Sequence, residues 1–127
     1  MAAETREDLV VDYKFKLATV IVDHIEDSIH FYQDVLGFQL VRKFYQEQGG
    51  LCLLKSPDGA SIELIDSKAF PVGFWSLGME VDDFEAAIED LRGKGMKFIW
   101  GPQELPLGKL AGLKDPNGVK IMVLTLS

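Results

Sequence analysis

Apolar and polar positions along this chain change their period several times, and the changes fall in the same order twice. Phe15 to Val22 (FKLATVIV) is rich in β-branched residues and predicts a strand, and Trp75 to Val81 (WSLGMEV) predicts a weaker counterpart. Beyond each strand the spacing lengthens to three and four. Ile25, Ile29, Tyr32 and Leu36 make one apolar helical stripe, and Phe84, Ile88 and Leu91 make another. Asp23 with Glu26, and Asp82 with Glu85, supply an acidic N-cap and a Glu three places on, which can satisfy the free N–H groups of a first turn. Gly37 ends the first helix, and Gly93 and Gly95 the second. Short strands are then expected at Phe38 to Tyr45, Leu51 to Lys55 and Ser61 to Ile65, and again at Lys97 to Gly101, Lys109 to Leu113 and Val119 to Leu126. Pro57-Asp58-Gly59 and Pro116-Asn117-Gly118 are turn sequences, and Gln103 to Gly108 (QELPLG) predicts a loop.

The two sets match at a constant separation of 59 residues. Val22-Asp23 matches Val81-Asp82, Glu26 matches Glu85, Ile29 matches Ile88 and Phe15 matches Phe74. Gly49, Leu51, Leu54-Lys55, Pro57, Gly59 and Ile62 likewise match Gly108, Leu110, Leu113-Lys114, Pro116, Gly118 and Ile121. Identities at the start, middle and end of one ungapped alignment identify an internal duplication. Each copy reads βαβββ. The chain is thus one domain of two modules, about 14–65 and 74–126, preceded by an N-terminal tail at 1–12 that is expected to be mobile or to add an edge element.

Composition narrows the possible partners. The chain has 127 residues, 47% of them hydrophobic and 26% charged, as befits a folded domain. Its 20 Asp and Glu outweigh 13 Lys and Arg, and its formal net charge is -7. Without a basic stripe, neither nucleic acid nor an anionic membrane is an expected partner. No apolar run approaches the roughly 20 residues of a membrane span, and Met1 to Tyr13 lacks the form of a secretory signal, so a cytoplasmic location is expected. Cys52, the single cysteine, excludes an intrachain disulfide and reads as a small buried side chain.

The residues Val22-Asp23, Ser28, Phe31-Tyr32, Leu36-Gly37-Phe38 and Asp115-Pro116-Asn117-Gly118, set in duplicated βαβββ modules, resemble the vicinal oxygen chelate superfamily. That group includes glyoxalase I, extradiol dioxygenases, methylmalonyl-CoA epimerase and the fosfomycin and bleomycin resistance proteins. The resemblance implies an α+β domain whose two modules form a half-closed cup, and a homodimer. It also implies up to four metal ligands on the first and last strands of each module. Carried onto this chain, those positions are Leu17, Glu63, Ser76 and Met122. Glu63 alone among them is a credible ligand, because Leu17 has no donor atom, Ser76 offers a neutral hydroxyl and Met122 a soft thioether. No metal or other cofactor is therefore expected. His24, in the turn before the first helix, and His30, on its polar side, read as solvent-facing residues.

Strand alternation divides the remaining side chains between the helix-covered face and the cup. Ala18, Val20, Val22, Ile62, Leu64, Leu77, Met79, Val81, Ile121 and Val123 belong under the helices. Leu17, Thr19, Ile21, Ser61, Glu63, Ile65, Ser76, Gly78, Glu80, Lys120, Met122 and Leu124 have the opposite parity, and Phe98, Val41 and Trp100 are assigned to the same side. The cup is then apolar around one central carboxylate. Three readings follow. In one, Glu63 merely bonds Ser76 or Thr19 in a filled core. In the reading adopted, Leu17, Thr19, Glu63, Ser76, Phe98, Trp100 and Met122 hold a small aromatic or cationic organic molecule, with Glu63 or Glu80 facing the cation. In the alternative, Glu63 is the base of a glyoxalase-type lyase, isomerase or dioxygenase-related enzyme, its pKa raised by apolar neighbours.

Overall fold

A computed structural model describes residues 10–46, 49–106 and 108–126. Among them the elements run in the order expected of a tandem βαβββ repeat, and the chain has an α+β fold. The first module comprises β1 (Lys14–Val22), α1 (Ile25–His30), β2 (Gln39–Gln46), β3 (Gly49–Lys55) and β4 (Ser61–Asp66). The second comprises β5 (Gly73–Glu80), α2 (Phe84–Gly93), β6 (Trp100–Leu105), β7 (Gly108–Lys114) and β8 (Lys120–Leu126). The duplicated sequence has a duplicated topology: the order β2-β3-β4-β1 in one module is repeated as β6-β7-β8-β5 in the other. The chain forms one compact unit from Lys16 to Leu77, and another from Gly78 that also takes in Val10 to Phe15.

In the Lys16–Leu77 unit, β1 runs parallel to β4 and β3 runs antiparallel to it, with Thr19 opposite Glu63 and Leu53 opposite Glu63 on the other side. The helix-facing core gathers Val22, Ile25, Ile29, Cys52, Leu54 and Leu64, with Val20, Tyr32, Phe38, Leu40 and Ile62 around them. In the other unit Val81, Phe84, Ala87, Ile88, Ala111, Leu113 and Val123 form the equivalent core, edged by Val11, Tyr13, Leu91, Met96, Phe98 and Ile121. Val20, Val22, Ile62, Leu64, Val81, Ile121 and Val123 among them are strand residues that period-two alternation assigns to the helix side.

One identity in the repeat has a simple steric cause. A Cβ on Gly49 would lie 2.1 Å from the backbone oxygen of Asp66, and one on Gly108 would lie 1.9 Å from that of Thr125. Both glycines also have positive φ, 130° and 148°. The third strand of each module therefore starts under the end of the fourth, and no side chain fits there.

The helix starts differ from expectation by one residue. Asp83, not Asp82, is the N-cap of α2, and its Oδ1 accepts from the Ala86 N–H at 3.1 Å. The first helix has no side-chain cap at all, because the matching position is His24. Asp23 instead contacts His24 Nδ1 at 3.0 Å, while the N–H of Ile25 points to Asp66 Oδ2 at 3.4 Å. A carboxylate from the end of β4 thus meets that helix start, a contact invisible to local spacing. After His30 the helix widens into a π-helical turn, Phe31–Val35, in which the Leu36 N–H donates to the Phe31 carbonyl at 3.3 Å.

One further expectation is corrected. Residues 103–105 belong to β6 rather than to a loop, because their backbone pairs with Gly108, Lys109 and Leu110 of β7. Of the expected N-terminal tail, residues 1–9 lie outside the described residues, but Val11 packs on the core of the second unit. Next to it Tyr13 donates from its hydroxyl to Asp90 Oδ2 at 2.5 Å, so this stretch is tied to α2.

Candidate functional site

Glu63 stands at the middle of β4, on the face turned away from α1, with Leu53 beside it on β3 and Thr19 beside it on β1. Its position follows from strand parity: Ile62 and Leu64 must pack under the helix, so the residue between them points the other way. The Thr19 hydroxyl, on a residue only 3% exposed, donates to Glu63 Oε1 at 2.9 Å. Burial raises the proton affinity of this carboxyl above its ordinary value, and the Thr19 hydrogen bond offsets part of the rise. No neighbouring charge contributes to the shift among the described residues.

The other predicted residues fall into two groups. Leu17, in register with Ser61, and Ser76, which is 2% exposed, lie in the same unit as Thr19 and Glu63. Trp100 and Met122 lie in the other unit, each in register with Gly112 of β7. A Cβ on Gly112 would be 3.0 Å from Met122 Sδ and 3.5 Å from Trp100 Cβ. The missing side chain of Gly112 lets these two residues share one face of the sheet. The pairing register of β7 with β6 and β8, which places a glycine opposite both, decides this.

Phe98 is corrected. The strand expected from Lys97 begins only at Trp100, so alternation does not govern residue 98. Its ring packs against the helix-side core of the second unit, under the Arg92 guanidinium at 5.6 Å. The two histidines are exposed and paired with Asp23 and Asp34. The Cys52 thiol is fully buried, which pushes its pKa up to about 11, so it is no nucleophile at neutral pH.

A family model described as Glyoxalase/Bleomycin resistance protein/Dioxygenase superfamily matches residues 14–123. The chain belongs to this superfamily. Within the superfamily it is 31% identical over 126 residues to a protein of Synechocystis named probable lactoylglutathione lyase, covering 89% of this chain and 96% of that one. It is 30% identical to a lactoylglutathione lyase of Neisseria meningitidis, over 79% of this chain and 81% of the relative. Among solved structures, the methylmalonyl-CoA epimerase of Mycobacterium tuberculosis shares the fold with a TM-score of 0.76 at 20% identity, covering 90% of this chain and 88% of that chain.

The superfamily resemblance implies a divalent metal, and the donors present do not fit one. Leu17 brings no donor, Ser76 a buried neutral hydroxyl, and Met122 a thioether set against Gly112 and Trp100. Glu63 has one oxygen engaged by Thr19 and a carboxyl that burial disposes to keep its proton, whereas a metal ligand must give it up. Among the described residues no group of three or more His, Cys, Asp or Glu side chains is placed to hold an ion. Nor is any helix among them long and apolar enough to cross a membrane.

Proposed function

We propose that this superfamily member binds a small organic molecule through Glu63 rather than through a metal centre, and that the ligand presents a cationic or aromatic group to that carboxyl. One observation carries the reading: Glu63 is a desolvated acid whose hydrogen-bond partner is a neutral hydroxyl, Thr19. An ionised carboxylate in that setting lacks compensation, and a bound cation would supply it. Leu53 and Leu17 on the adjoining strands offer the apolar contact that an aromatic body needs. Calorimetry with benzamidine and small aromatic amines tests this. Binding by the native protein that falls at least tenfold in Glu63→Gln supports it. Equal affinity in the variant, or stoichiometric zinc or nickel binding at micromolar affinity, overturns it.

A second reading is favoured by the relatives named lactoylglutathione lyase and by the raised basicity of Glu63. Here Glu63 takes a proton from a carbon next to a carbonyl, as a lyase or isomerase of this type requires. Turnover of the methylglyoxal–glutathione hemithioacetal, assayed with and without added zinc or nickel and lost in Glu63→Gln, would establish it.

A further inference from the structure

We propose that Thr19 is the positioning residue of Glu63: its hydroxyl fixes Oε1 and leaves Oε2 as the oxygen that engages a ligand. The proposal rests on the reading of Glu63 as the ligand-engaging group. Its basis is geometric. Thr19 and Glu63 are partners in the parallel β1–β4 pairing, and the hydroxyl reaches Oε1 at 2.9 Å. Thr19 is nearly inaccessible, and a β-branched side chain on a strand has few χ1 choices, so the donor keeps its direction. Among the described residues Oε2 takes no such bond.

The duplication supplies an internal comparison. The positions matching Thr19 and Glu63 in the second module are Gly78 and Met122. Neither member of the hydrogen bond is present there, so the pair belongs to the first module. The hydroxyl also sets the proton affinity of the carboxyl against the effect of burial. The other titratable groups on β1, β3 and β4 are Lys14 and Lys16 on β1, Cys52 and Lys55 on β3 and Asp66 on β4 itself. None of them contributes to the Glu63 shift, although the Cys52 thiol weakly senses its charge.

The test is a carboxyl ¹³C titration of the ligand-free protein, with the Glu63 signal assigned by its loss in Glu63→Gln. Thr19→Val removes the hydroxyl at nearly constant volume and should bind the Glu63 proton about tenfold more tightly. Thr19→Ser should restore the native midpoint. Thr19→Ala serves if the valine variant does not fold. An unchanged midpoint in the hydroxyl-free variant, or a serine variant that behaves like it, overturns the proposal. Benzamidine affinity, measured alongside, separates the two claims: if benzamidine binds neither native protein nor variant, the ligand reading fails, while the titration still decides the role of Thr19.

Discussion

His24 and Asp83 occupy the same place in the two modules, one residue before each helix, yet only Asp83 caps its helix. Asp83 has extended backbone at φ -121°, ψ 102°, and His24 lies just outside that region at φ -140°, ψ 83°. The difference lies in the side chain: a carboxylate at this position reaches the N–H of Ala86, whereas the His24 ring turns to Asp23.

This asymmetry makes α1 improvable. His24→Asn places a short acceptor one residue before the helix, where a small change in ψ reaches the capping geometry, and should raise stability by about 0.5–1 kcal/mol in urea denaturation. Asp83→Ala should cost about 1 kcal/mol by the same measurement. Asp82→Ala should cost less, because among the described residues Asp82 makes only an exposed pair with Lys14 at 3.7 Å. Equal losses at 82 and 83 would contradict the cap assignment.

Gly49→Ala and Gly108→Ala should each destabilise the protein by at least about 2 kcal/mol, since the new methyl must displace the backbone of Asp66 or Thr125 and also sit at positive φ. Gly59→Ala meets open space and suffers only the backbone strain. Midpoints of thermal unfolding for the three variants should therefore separate, with Gly59→Ala closest to the native protein.

Glu63 links stability to pH. Its folded pKa is raised above the ordinary 4.5, so the folded protein holds the proton where the unfolded chain releases it. Below about pH 4.5 both states are protonated and no penalty arises. As pH rises from there through the folded pKa, the penalty grows and then levels off. Glu63→Gln should thus gain stability relative to the native protein on going from pH 4 to pH 8. A stability difference independent of pH would show that Glu63 is not desolvated.

Cys52 should be silent to thiol reagents in the folded state. With no exposed surface and a pKa near 11, its reaction with an aromatic disulfide at pH 8 should proceed only through opening of the β2–β3–β4 region, and should become fast above the denaturation midpoint. Rapid labelling without denaturant would contradict the burial of this strand.

Much of the chain was legible without coordinates, because the relevant signals are local or periodic. The separation of 59 residues implied two βαβββ modules, and β3 and β7 start at Gly49 and Gly108, at that same separation. Alternation on β4 alone put Ile62 and Leu64 under the helix and Glu63 on the other face. Parity failed where the strand did: Phe98 precedes β6, and its ring turned to the helix core. Spacing also could not tell Asp82 from Asp83, since either can start a first turn. Which hydroxyl Glu63 would meet, that Asp66 of β4 would approach the start of α1, and that Gly112 would let Met122 and Trp100 share a face were decided by pairing between strands distant in sequence. Hydrophobic periodicity specifies which face a side chain takes, whereas its partner on that face is set only when the strands are brought into register.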